Sequence, residues 1–479
     1  MWPLLNGVAT STRRHTSAAP KTLRTSIQTH RILTPAVGNI GRKSGVKLYM
    51  QKLGLLLFVM PMWAAVPPSP QIKALEATVR SQGPAVVETF WKQVAENGGT
   101  PLIECPASLK PDCLVTFLWR GDASTRNVVI RGEALPEPPS ENLFDRVAGT
   151  DVWYRTYRFR EDARFMYMLS IDDPLTPWEV EGAEARRKRY AGLRGDPMNP
   201  RGYASLPKAP SERWAQERPG VAKGEMSQHT FVKTGLSGAR TVDVYRTPGF
   251  RAGQGPSAVL IVFDGDEAEN LTKVPIILDN LFAEARIPPM AAVFLLQPYE
   301  QREADLGCSR SMNRFLVNEL MPWLGEQHGI RTEAGHVIVA GASLGGLAAT
   351  FAALEHPEIF GRVLSQSGAF WWGRTDSERE WLTAELASRP RRDVKFYLDV
   401  GLMETKGGVL SQIETNRRIV EVLRQKGYDV VLPGVQRASR VPLLAIGVSG
   451  RVAFVAVPLT VSPRPLRARG SILPWARGR

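Results

Sequence analysis

The sequence predicts an α/β fold, a parallel-type sheet with helices on both faces, preceded by a small β-sandwich. Three observations carry this prediction. From about residue 221 short continuous apolar runs alternate with stretches of helical spacing, as strands buried on both faces do when helices join them. Ahead of them lie several short β-branched and aromatic runs separated by Gly, Pro, Asp and Ser, the layout of a sandwich of roughly 100 residues. Between the two, residues 172–220 are polar and rich in Pro, with no sustained period, and read as a linker over the surface.

In chain order, residues 71–100 carry helical periodicity through Leu75, Val79, Val86, Val87, Phe90 and Trp91, and close on Asn97-Gly98-Gly99. Strands are predicted over 114–119, 127–131, 152–158 and 165–170, completing a domain at 70–171. In the larger domain, 221–432, residues 230–233 and 241–245 read as antiparallel edge strands. Buried strands are predicted at 258–263, 290–297, 336–340, 363–367, 394–400 and 429–432, with helices at 275–286, 315–328, 347–355, 379–388 and 413–426.

The net charge of +14 does not describe this body. Residues 1–49 hold eight Lys/Arg and residues 433–479 hold eight Arg, with no acid in either stretch, so the chain between them is near −2. Nothing there suggests a surface that tracks nucleic acid phosphates. Both ends are expected to lack fixed structure. From Met50 the chain reads as a short secretory signal over 50–66, with one Lys, an apolar run and then Ala64-Ala65, too short to span a bilayer. That layout predicts a periplasmic or secreted protein, or a cytoplasmic one if the segment does not function. Residues 1–49, rich in Ser, Thr and Arg and without acids, read as a transit-peptide-like extension or, more simply, as the product of a start assigned too far upstream. Three cysteines are too few for a disulfide framework. Cys105 and Cys113 flank a Pro-containing stretch and are placed to pair in an oxidising compartment, or else to stay free, while Cys308 reads as a small buried residue.

The chemistry centres on Gly341-Ala342-Ser343-Leu344-Gly345, a G-x-S-x-G pentapeptide with a buried strand before it and a helix after it. In that context the spacing predicts a nucleophile elbow of the α/β-hydrolase type: Ser343 on a sharp turn, with glycines where a Cβ would clash. The Leu344 N–H then heads a helix, ready to donate to an oxyanion. A second donor should follow an earlier strand, and by layout the Asp266 N–H in Phe263-Asp264-Gly265-Asp266 fits. The acid should follow a strand after the nucleophile, which selects Glu404, with Asp399 as runner-up. The base should follow the acid. Of the six histidines, His15, His30, His229, His328, His336 and His356, only His356 lies beyond Ser343, and it precedes both acids in a position that suits a helix end. No metal-ligand cluster and no cofactor motif is visible.

Gly341–Gly346, Leu354-Glu355-His356-Pro357-Glu358 and residues 364–372 resemble the enterochelin (enterobactin) esterase family, related to esterase D, as do the linker pieces 172–178 and 196–203. The likeness covers about 75–432. It implies an N-terminal β-domain, a serine esterase domain, and hydrolysis of the serine ester backbone of a catecholate siderophore, often with iron bound. Iron would then arrive with the small-molecule substrate. The resemblance also implies that Trp371 and Trp372 stand near the pocket, unless they simply pack the core. In that family a Gly-Gly-His-Asp segment follows a strand equivalent to 429–432, and here a basic, acid-free tail follows instead. A frameshift predicts that composition: one choice of synonymous codons for residues 432–448, read a base later, encodes a His-Glu-Tyr run followed by Cys-Trp-Arg. The chain as written is therefore expected to lack its base and to be impaired. Two other readings stand beside this one, an esterase for feruloyl or acetyl sugar esters and a non-catalytic ligand-binding protein. Oligomeric state has no signature in the sequence.

Overall fold

The computed structural model describes Val66 and residues 69–435, apart from 133, 137, 176–192, 200–201, 233, 254–257, 376, 406–410 and 432–433. The basic extension, almost all of the signal-like segment and the tail from 436 lie outside the described residues.

The chain enters through two helices. Pro70–Gln82 starts at Ser69, whose hydroxyl accepts from the Ile72 N–H, and stops at Gly83 with φ 81°. The second, Val87–Glu96, buries Val87, Phe90, Trp91 and Val94, the i, i+3, i+4, i+7 stripe of an amphipathic helix. Both pack on Leu118, Val147 and Val152 of the β-domain.

That domain contains β1 (Leu102–Glu104), β2 (Asp112–Arg120), β3 (Val128–Arg131), β4 (Asp145–Arg146), β5 (Val152–Arg160), β6 (Arg164–Met166), β7 (Met168–Ile171), β8 (Leu193–Arg194) and β9 (Tyr203–Ser205). One sheet runs β1-β2-β5-β4, a second β3-β7-β8, and β6 pairs with β9. Phe117, Val128, Ile130, Phe165, Leu169 and Ala204 meet in one core. Cys105 and Cys113 form a disulfide across the β1–β2 connection. The single strand predicted at 165–170 is two, because the chain changes sheets at Tyr167. Its ring is buried and its hydroxyl donates to Asp196, 2.7 Å away. β8 and β9 lie inside the stretch read as linker, and pair with β7 and β6. Strands of two or three residues leave no period to read.

The larger sheet comprises β10 (Glu225–Phe231), β11 (Arg240–Arg246), β12 (Ala258–Val262), β13 (Met290–Leu296), β14 (Val337–Ala342), β15 (Arg362–Gln366), β16 (Lys395–Gly401), β17 (Val430–Val431) and β18 (Gly434–Val435). Its order is β10-β11-β13-β12-β14-β15-β16-β17, with β18 also beside β16. The β10–β11 and β11–β13 pairs are antiparallel and the rest parallel. β10 forms the edge, whereas β11 is interior, contrary to the sequence reading. Alternation of side chains explains why the parallel strands are apolar throughout. Val259, Ile261, Val293, Val337 and Val339 face one core with Leu347 and Phe351, while Leu260, Val262, Ala292, Phe294 and Ile338 face another with Ile277 and Leu281.

The helix predicted at 315–328 begins earlier, as Arg310–Phe315 capped by the Ser309 hydroxyl, widens into a π turn at Leu316–Leu320 and resumes at Met321–His328. Pro322 explains the widening, since it has no N–H to complete the preceding turn. The short helices Gly265–Asn270 and Arg302–Leu306 carry too few residues for a period to show.

One buried ion pair ties β3 to the start of the inter-domain stretch. The Arg131 guanidinium donates through Nε and a terminal nitrogen to Asp173, at 2.8 and 2.7 Å, with both side chains buried. Burial alone would push the Asp173 carboxyl up, but the bonds from Arg131 and Ser170 outweigh it and hold the group below its ordinary range. Asp173→Ala should destabilise the chain by about 3–5 kcal/mol in urea unfolding, because it strands a buried cation. Replacing both partners with apolar residues, Arg131→Met with Asp173→Leu, should recover most of that loss.

Candidate active site

Ser343 stands between β14 and the helix Leu344–Glu355, with φ 55° and ψ −120°. A non-glycine residue holds such a backbone only when its surroundings fix it. Here the Ser343 N–H donates to the Gln366 carbonyl at 2.9 Å, and its own carbonyl accepts from the N–H groups of Leu347 at 3.1 Å and Ala369 at 2.9 Å. The turn also depends on missing side chains. A Cβ on Gly341 would lie 2.5 Å from the Gly345 carbonyl carbon, and one on Gly346 would lie 2.5 Å from Ser365 Oγ. Gly341 is needed because backbone passes against backbone there, and Gly346 because the Ser365 side chain fills the space a Cβ would take. The half-buried Ser343 hydroxyl makes no hydrogen bond among the described residues.

The turn after β15 forms one wall. Ser367 has φ 46°, donates its N–H to the Asp399 carbonyl at 2.8 Å and its hydroxyl to Glu404 Oε1 at 2.7 Å. Glu404 is buried and accepts from the Gly401 N–H at 3.0 Å. The acid selected from sequence and its runner-up thus meet the same serine: Glu404 by its carboxylate, Asp399 by its backbone from within β16. Ala369, two residues beyond Ser367, binds the Ser343 carbonyl, so a single turn connects nucleophile and acid. Gln412 and Asn416 lock this turn from the helix Gln412–Gln425, both donating to the Gly368 carbonyl, at 2.9 and 2.8 Å. Sequence reasoning missed Ser367, Gln412 and Asn416. The signal was present: polar residues at i and i+4 sit on the buried face of a helix whose other buried residues include Ile413, Ile419, Val420 and Leu423.

The turn after β12 forms the other wall. Asp264 is left-handed, with φ 54°, and leads into Gly265–Asn270 with Asp266 in the first turn. Its carboxylate meets Arg302 at 2.6 and 2.7 Å. Trp371 and Trp372 follow the Ser367 turn, both half-buried and packed against the core that holds Leu347 and Phe351. Trp372 lies against Gly307, where a Cβ would be 2.9 Å from its ring, and meets Trp381 edge-on at 6.4 Å. The Trp372 ring is thereby engaged in packing, which leaves Trp371 as the aromatic candidate for a ligand.

No described histidine stands at Ser343. His356 ends the twelve-residue nucleophile helix, about 18 Å along its axis, and bonds Glu358 at 3.1 Å. His336 precedes the six-residue β14, about 20 Å below its top. His229 lies on β10, four strand spacings or about 19 Å from β14. It packs edge-on with Trp323 and His328. His15 and His30 lie outside the described residues. Burial, then the nearby Arg246 and His229, push His328 down from 6.5 to about 4. Among the described residues, no group of three or more His, Cys, Asp or Glu side chains is placed to hold a metal ion. No helix there is long and apolar enough to cross a membrane.

Two outcomes follow. Gly341→Ala should cost about 1–3 kcal/mol in thermal unfolding and abolish fluorophosphonate labelling of Ser343, whereas Gly335→Ala, which has open space around it, should do neither. Stability should also fall as pH drops from 6.5 towards 4, because the unfolded His328 takes up a proton that the folded one refuses. His328→Gln should flatten that part of the stability profile.

The Esterase family model matches residues 234–439, and the model for the N-terminal domain of enterochelin esterase matches 114–215. The iron(III) enterobactin esterase of Dickeya dadantii is 29% identical over 336 residues, covering 64% of this chain and 76% of that protein. The iron(III) salmochelin esterase of Escherichia coli O6:H1 is 27% identical over 342 residues, covering 66% and 81%. Ferric enterobactin esterase from Salmonella typhimurium shares the fold, with a TM-score of 0.64 at 21% identity over 77% of this chain and 98% of that one. The nucleophile turn, the two matched domains in the same order and the shared fold agree: the chain belongs to the enterochelin (enterobactin) esterase family, and is by family a serine-type carboxylic ester hydrolase.

Proposed function

We propose that the site hydrolyses the ester backbone of a catecholate siderophore of the enterobactin type, so that iron carried by the substrate can be released. The observation that carries this is the Ser343 turn, a strained strand-to-helix elbow that a passive binder has no use for. Substrate class comes from the relatives, which act on iron(III) enterobactin and iron(III) salmochelin.

In this reading Ser343 Oγ attacks the ester carbonyl carbon, and the oxygen gains negative charge as the tetrahedral centre forms. The Leu344 N–H at the head of its helix, with the Asp266 N–H, receives that charge. The C–O bond to the seryl alcohol then breaks, and water later cleaves the acyl-serine. Each step needs a proton moved, and Glu404 is held where it would orient an imidazole. That imidazole is what the described residues lack. We therefore propose that turnover by this chain is impaired, the base having been lost with the reading frame near residue 432. Export to an oxidising compartment is part of the same proposal, supported by the signal-like layout from Met50 and by the Cys105–Cys113 bond.

Ferric enterobactin hydrolysis, followed by chromatography, tests this with the chain beside a version whose frame is restored after Val431. The restored protein should release dihydroxybenzoylserine at least about a thousandfold faster. Equal rates would remove the lost-base account, and no release by either would remove the substrate assignment.

A further inference from the structure

Asp264 is a non-glycine residue with φ 54° and ψ 52° at the end of a central strand. Asp visits that region more readily than most residues, but still at a cost that neighbours must offset. Three contacts do so. Its N–H donates to Gln297 Oε1 at 2.8 Å, its carbonyl accepts from the Ala268 N–H at 3.0 Å, and Arg302 grips both carboxylate oxygens. Burial alone would lower the Arg302 pKa, and the bond to Asp264 reverses that. The pair is mostly buried, at 12% and 26% exposure, so solvent screens it little.

Its location gives the pair a meaning beyond stability. A Cβ on Gly345 would lie 3.2 Å from Asp264 Oδ2 and 3.2 Å from the Phe263 Cβ. The carboxylate therefore sits against the first turn of the nucleophile helix, two residues from Ser343. A carboxylate left loose there would compete with a developing oxyanion for the same N–H groups. Held in a two-pronged grip by a guanidinium, it is neutralised and cannot swing towards them.

We propose that Asp264 and Arg302 are positioning residues for the esterase: the fork fixes the turn after β12, and so the reach of its N–H groups towards Ser343. This rests on Ser343 being the nucleophile. Neither side chain touches substrate in this account, and both act through the backbone of the turn.

The test must not depend on an imidazole, so it reads the chemistry at Ser343 directly. The full chain is incubated at alkaline pH, where hydroxide serves as base, with a fluorophosphonate whose P–O group occupies the oxyanion position. Peptide mass spectrometry gives the rate of modification at Ser343. Arg302→Gln should slow it about a hundredfold and Arg302→Lys about tenfold, since Lys keeps the charge and loses the fork. Asp264→Asn keeps the left-handed turn and should be slowed about tenfold. Arg302→Ala should regain rate on addition of guanidinium ion at millimolar concentration, below its denaturing range. Unchanged rates in variants of a chain that is itself modified would overturn the pair and leave the nucleophile standing. Slower rates without guanidinium rescue, matched by a fall in melting temperature to the assay temperature, would show a structural role alone. An unaltered chain with no modification at Ser343 would overturn both the pair and the esterase reading.

Discussion

Everything at the site depends on a backbone in the wrong half of conformational space. Ser343 is held left-handed by three main-chain hydrogen bonds, one to the last residue of β15, one from the turn that follows it and one from its own helix. β14 and β15 must lie in register for Gln366 to receive the Ser343 N–H, and the pairing of Ala342 with Gln366 supplies that register. The parallel sheet is thus part of the catalytic apparatus. The turn folds the nucleophile helix back onto the end of β14 and against β15 so closely that only glycine fits at 341, against the Gly345 backbone, and at 346, against Ser365 Oγ. Strain of this kind costs roughly 1–3 kcal/mol, and the apolar cores on the two faces of the sheet offset it.

The walls of the site repeat the device. Asp264 and Ser367 are both non-glycine residues in left-handed geometry, each at the end of a strand flanking β14. Each is pinned by a charged partner, Arg302 for one and Glu404 for the other. Three adjacent strand ends therefore carry three strained turns, and buried polar bonds hold all three. A rigid frame of this sort can aim N–H groups before the substrate arrives, which is where electrostatic catalysis draws most of its strength.

Much of this was legible in the sequence, for reasons that can be named. The parallel strands showed themselves because burial on both faces makes them apolar throughout, as in 258–263 and 290–297. Ser343 showed itself because the turn demands glycine at fixed offsets. What could not be read was short or polar. Strands of two residues such as β8 have no period, and the change of sheet at Tyr167 depends on a partner, Asp196, twenty-nine positions away. Asp264, Arg302 and Ser367 were hidden because long-range hydrogen bonding leaves no local pattern. Gln412 and Asn416 were the exception, polar residues on a face that should have been apolar.

The geometry presents an ester carbonyl to Ser343 from above the strand ends, between the Asp264 and Ser367 turns. A crystal structure of the full chain with an uncleaved catecholate ester tests it most directly. The scissile carbonyl carbon should lie about 3–3.5 Å from Ser343 Oγ, with its oxygen facing the Leu344 N–H. A ligand bound elsewhere, or one whose ester carbonyls all face away from Ser343, would contradict it.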